Sequence, residues 1–131
     1  MRAEKVIYNL QSTNVAIVSV VPTSRMYAGL IPIGATYPAL CYNLVSSFDE
    51  TAIGLTTMKS RSRIQVTAVA TSYSAVKALA DKIRVACNLK RGTFNNVVTD
   101  SVIMDNIGAD YRDDETGVFY STVDFNIVHN R

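Results

Sequence analysis

Residues 118–128 constrain the fold more than any other stretch of this chain. Phe119, Val123, Phe125 and Ile127 fall on one side of a two-residue period, and Tyr120, Thr122, Asp124 and Asn126 on the other. Only an extended strand has that period. One apolar side and one polar side imply an antiparallel sheet with a single face on the core. A second alternation sets Ile64, Val66, Ala68 and Ala70 against Arg63, Gln65, Thr67 and Val69. A third follows Pro38, with Leu40, Tyr42 and Leu44 against Cys41 and Asn43. Residues 97–105 read as a further strand.

Elsewhere the period changes to that of a helix. Val76, Leu79, Ile83, Ala86 and Cys87 share one face of residues 73–89, and Ala75, Ala78 and Ala80 raise the helix propensity. Ser72 and Ser74 both suit its N-cap. Lys90 and Arg91 read as its last turn, with Gly92 as the stop. Ala3, Val6, Ile7 and Leu10 predict a first helix over residues 2–12. Ser12, Thr13 and Asn14 stop it and restart a short turn or strand, which Pro22 ends. Residues 25–34 read as loop or short strand. Residues 47–60, rich in Ser, Thr and charge and containing Gly54, read as a long connection of the kind that often carries function.

The order is helix, strand, strand, helix, strand, strand. It predicts an α+β fold: an antiparallel sheet of four strands, or slightly more, packed on one face by two or three helices. The 131 residues suit a single domain over 1–131. With 48% hydrophobic and 18% charged residues the chain is not of the disordered class. The N-terminus is polar and lacks the apolar core of a signal peptide. Residues 15–21 are too short an apolar run to span a bilayer. These features predict a soluble product of a cytoplasm with no membrane partner.

The net charge of +2 hides an imbalance. Residues 1–99 hold eleven basic residues and four acids, a net of +7, and residues 100–131 hold two and seven, a net of −5. A chain split this way can carry one basic and one acidic surface. The densest basic cluster is Lys59, Arg61 and Arg63, where two arginines at spacing two project from one side of a strand. They could touch phosphates or an acidic neighbour, but no aromatic residues interleave to stack bases. The acidic run is Asp110, Asp113, Asp114 and Glu115. It fails as a calcium loop, because the third position from Asp110 is Arg112 and the sixth is Glu115 where a glycine is needed. It reads as a solvated hairpin loop.

No catalytic, cofactor or metal set emerges. His129 is the single histidine and sits two residues from the end, where strands fray. Cys41 and Cys87 make neither a disulfide framework nor a four-ligand zinc site and read as buried thiols. The glycines form no phosphate-binding loop.

Several pieces taken in order resemble a known family. They are Pro38-Ala-Leu-Cys-Tyr42, then Arg63-Ile-Gln-Val-Thr-Ala-Val, then residues 73–84 ending at Arg91-Gly92. The tail is residues 110–120, with Gly117, and then Val123-Asp-Phe-Asn-Ile. Over about residues 1–129 this order resembles the tail-completion, or tail-terminator, family of long-tailed bacteriophages. The Ser/Thr-rich residues 47–60 and the Ile- and Pro-containing residues 30–38 depart from it.

The resemblance implies a virion structural protein of the tail and neck, assembled in the host cytoplasm, with no enzymatic activity and no cofactor. It implies a homohexameric ring on the finished tail tube, partnered by the tube protein and the head-tail connector or head-closure protein. Genome DNA would pass through the lumen. Lys59, Arg61, Arg63, Asp110, Asp113, Asp114 and Glu115 become candidates for subunit or neck contacts. The other readings are a head-closure or minor tail protein of the same region, and a small nucleic-acid-binding module.

Overall fold

The computed structural model describes residues 2–32, 34–52, 56–108, 110–114 and 117–130. Helix α1 (Arg2–Ser12) leads into a single turn, α2 (Val15–Val18), and β1 (Met26–Ala28). Two long strands follow, β2 (Ala39–Ala52) and β3 (Thr56–Ala70). Helix α3 (Tyr73–Cys87) precedes β4 (Lys90–Phe94), β5 (Val97–Ile107), β6 (Tyr111–Arg112) and β7 (Phe119–Asn130). The sheet runs β1-β2-β3-β7-β5-β4, with β6 also paired to β7.

The fold is α+β, but the sheet has seven strands rather than about four. The last strand of the chain lies in the middle, flanked by β3 from Lys59↔Asn130 to Ala70↔Phe119 and by β5 on its other side. Its clean alternation follows from that position. Each inward residue meets the helices, and Val123, Phe125 and Ile127 are fully buried with Ile64, Val66 and Ala68 of β3. Val6, Ile7 and Leu10 of α1, Ile17 of α2 and Val76, Leu79 and Ile83 of α3 complete the same core. The small Ala68 and Ala70 leave room for helix side chains above β3.

Three departures from the sequence reading have physical causes. First, residues 47–60 include no long loop among the described residues: β2 continues to Ala52 and β3 starts at Thr56. Ser47, Asp49 and Glu50 pair across to Ser62, Ser60 and Lys59, so cross-strand polar contacts hold this hairpin where apolar burial does not. Second, α3 stops at Cys87, before Lys90 and Arg91. Asn88 is already extended, and Leu89 takes φ +58, which turns the chain into β4. Gly92 lies inside that strand at φ +139, beside a register shift, and is not a helix stop. Third, Asn95 and Asn96 adopt φ +50 and +64 and close a two-residue hairpin between β4 and β5, a turn that requires left-handed backbone at both positions. In addition, β1 pairs parallel with β2, the one parallel ladder among the described residues, where the other pairings are antiparallel.

Candidate functional site

The basic residues Lys59, Arg61 and Arg63 occupy alternate positions of β3 and point away from the helices. Each finds a carboxylate within its own chain. Lys59 Nζ lies 3.0 Å from Asp100 and also donates to Asn130. Arg61 pairs with Glu50 across the β2–β3 hairpin. Arg63 is forked between Asp105 at 2.6 Å and Asp124 at 2.7 Å. Its hydrogen bond to Asp124, and then the nearby Asp105 charge, hold the guanidinium above its ordinary pKa. Asp124 is buried although it lies on the face that the alternation marks as polar; pairing with Arg63 makes that burial tolerable.

Two β-bulges create these contacts. The register of β5 on β7 shifts between Thr99 and Ser101 and again between Met104 and Asn106. Asp100 and Asp105 are the residues left over at the two shifts. A bulge re-aims a side chain that strict alternation would place elsewhere, and here it delivers both acids to the basic row of β3. Lys59 and Arg63 of the basic segment are therefore partners, in one sheet, of Asp100, Asp105 and Asp124 of the acidic one. Beside this row, Ser46, Phe48, Arg61, Arg63, Asn126 and Val128 line a shallow groove of about 320 Å³.

The acidic turn is separate. Asp110 accepts from Lys77 Nζ at 3.1 Å and from Tyr73 Oη at 3.0 Å, both on α3. The Lys77 ammonium, first, and the Tyr73 hydroxyl hold its carboxyl below the usual carboxylate range. Asp114 pairs with Arg112 at 3.2 Å, and the Asp113 amide donates to the Val118 carbonyl at 2.9 Å. Tyr111 stacks on Tyr120 with ring centroids 4.6 Å apart, and Arg112 lies over Phe119. Glu115 lies outside the described residues. Lys59 is registered with Asn130, whereas the turn adjoins Phe119, which is registered with Ala70. At about 3.3 Å per residue, Lys59 lies roughly 36 Å and Arg63 roughly 23 Å from the level of Phe119 along the sheet.

The structure also places groups that sequence reasoning passed over. His129 is not frayed. It is 3% exposed in β7, with Nε2 3.0 Å from Ser62 Oγ and Nδ1 3.0 Å from the Asn130 carbonyl. That carbonyl can only accept, so Nδ1 donates to it, while Nε2 shares a hydrogen bond with the Ser62 hydroxyl. Ser62 in turn lies 3.0 Å from Ser47. A serine–histidine contact is half of a nucleophilic site, but among the described residues no carboxylate bonds to the ring, and both residues are buried. The chain pins the two long strands to β7.

Cys41 and Cys87 are buried free thiols, and burial pushes Cys87 up to about 12. Unlike the β3 row, Lys5, Lys82, Arg84, Lys90 and Arg91 form no ion pair among the described residues. Three of these five cations, Arg84, Lys90 and Arg91, follow one another from the end of α3 into β4. Among the described residues, no group of three His, Cys, Asp or Glu side chains is placed to hold a metal ion. No helix is long and apolar enough to cross a membrane.

No protein-family model matches the chain, and no curated protein matches its sequence. Its fold is similar to that of a chain in a solved structure described as the virion of a native gene transfer agent (GTA) particle. The TM-score is 0.72 at 9% identity, over 96% of this chain and 92% of that one.

Proposed function

We propose that this protein is a virion structural component that works by shape and self-association. In this reading the whole chain is one subunit of a ring of about six copies. The ring caps the phage tail tube, ends tail growth and joins the tail to the head connector, with genome DNA passing through its lumen. The observation that carries the reading is the fold likeness to a chain of a gene transfer agent virion, which spans nearly the full length of both chains. The resemblance of residues 1–129 to the tail-terminator family supports the position at the tail end over the adjacent head-closure position.

The site chemistry supports surfaces over a pocket. The groove beside the basic row is shallow, and Lys59, Arg61 and Arg63 already hold carboxylates. Cations that are neutralised within the chain release few counterions on a nucleic acid, which weighs against the small nucleic-acid-binding module. We place the β2–β3 hairpin with its basic row, and the turn with Asp110, Asp113, Asp114 and Glu115, at subunit or neck contacts.

The test is loss of the gene in its phage. Overlong or unjoined tails are the expected outcome. Normal tails attached to DNA-filled heads would overturn the reading. The purified protein, alone or added to tail tubes, is expected to give rings of about six copies by electron microscopy.

A further inference from the structure

The sheet ends in two open edges of opposite character. Beyond Tyr42, where β1 stops pairing, no described strand lies on the outer side of β2, so residues 43–52 present one row of unpaired backbone groups. At the other end no described strand lies beyond β4. The β2 strand carries Asp49 and Glu50 and no base, and β4 carries Lys90 and Arg91 and no acid. Both edges also expose apolar side chains. Leu44, Val45 and Phe48 are 45%, 54% and 60% exposed on the first, and Leu89, which leads into β4, is 77% exposed at the second. A long edge strand with exposed apolar residues is a template for pairing unless something covers it.

We propose that a second copy of this chain covers it: residues 43–52 of one subunit join β4 (Lys90–Phe94) of the next, so that the sheets run on through the ring. The inference rests on the ring reading above and names its interface. The two edges lie at opposite ends of one sheet, so the contact is heterologous, the kind that closes into a ring when the rotation closes. The geometry also sets the strand direction. Four successive antiparallel pairings connect β2 to β4 through β3, β7 and β5, so β2 and β4 run the same way within a subunit. A rotation about an axis along the strands preserves direction, and the strands that meet between subunits are parallel. The acids of β2, Glu50 shared with Arg61 of its own subunit, then face Lys90 and Arg91, which form no ion pair among the described residues, and the apolar row of Leu44 and Val45 comes beside Leu89.

A charge exchange tests this. In one variant, Lys90→Glu and Arg91→Glu make both edges acidic; in a second, Asp49→Lys and Glu50→Lys make both edges basic. Each alone sets like charges together and is expected to raise the ring-forming concentration about a hundredfold or more, on purified protein or on tail tubes. Mixed in equal amounts they restore complementary edges and are expected to form alternating rings at wild-type concentrations. Should the second variant fail to fold, because Glu50 also holds Arg61, Ser46→Lys and Phe48→Lys with Asp49→Lys keep Glu50 and give the edge the same net positive charge from exposed positions.

Ring formation by K90E/R91E at the wild-type concentration would overturn the interface and leave the ring reading standing. So would a mixture of folded variants that stays monomeric. A K90E/R91E ring that no longer attaches to tubes or DNA would assign β4 to a different partner and overturn it too. Wild-type protein that forms no ring alone or on tubes would overturn the ring reading itself.

Discussion

At the scale of single residues, the break between β5 and β6 is the tightest point of the sheet. The Gly108 amide donates to the Thr122 carbonyl at 2.9 Å, and a Cβ added at Gly108 would lie 2.0 Å from Thr122 Oγ1. The glycine is there because the Thr122 hydroxyl fills the space a Cβ would need, not because the backbone needs left-handed freedom. Gly108→Ala is therefore expected to destabilise the protein by about 1–3 kcal/mol, the usual cost of overpacking. Removing the obstructing hydroxyl in Gly108→Ala/Thr122→Ala is expected to return most of that loss, since the next contact is an ordinary 3.4 Å to Thr122 Cβ. Urea denaturation midpoints of the two variants measure this. A double variant no more stable than Gly108→Ala would sink the steric account.

At the scale of elements, α3 shows what the sequence made legible and where it stopped. Its apolar face, Val76, Leu79, Ile83, Ala86 and Cys87, is buried as the 3.6-residue period predicts. Two serines competed for its cap, and the structure selects Ser72, whose side chain accepts from the Ala75 amide at 3.2 Å. Ser72→Ala is expected to cost about 1 kcal/mol, and Ser74→Ala almost nothing. Thermal melts of the two variants check this, and equal losses would contradict the assignment. The helix end was misread because Lys90, Arg91 and Gly92 suit a C-terminus and a β-edge equally well. What decided was Leu89 at φ +58, which nothing in its apolar side chain announces. The outer half of the β2–β3 hairpin was invisible for another reason. Its β2 residues 44–50 are exposed on both faces, so no apolar alternation marks a strand. The candidate site was legible only as a list of charges. Which acid meets which base depends on the bulges at Asp100 and Asp105, and these belong to the pairing of β5 with β7, two segments whose alignment no local pattern records.

At the scale of the whole molecule, the chain's charge and its cohesion are distributed along the same axis. The middle of the sheet is where distant segments neutralise one another: Arg63 of β3, Asp105 of β5 and Asp124 of β7 meet across three adjacent strands. The margins are where backbone stays unpaired, and at the β4 margin Lys90 and Arg91 form no ion pair among the described residues. This gradient predicts how the free subunit opens. Residues 123–128 of β7 lie between β3 and β5, and their amides are expected to exchange hydrogen only through global unfolding. A domain stable by 5 kcal/mol or more would slow them about 10,000-fold. In an antiparallel ladder, alternate residues direct their amides to the same neighbour, so about half of the amides in residues 43–52 face outward from the sheet. Those are expected to exchange at close to the free-peptide rate in monomeric protein, while their inward-facing neighbours are slowed. Hydrogen exchange read residue by residue by NMR distinguishes the two sets. Slow exchange at every amide of residues 43–52 in a monomer would mean that the chain covers its own β2 edge, leaving no open margin for another copy.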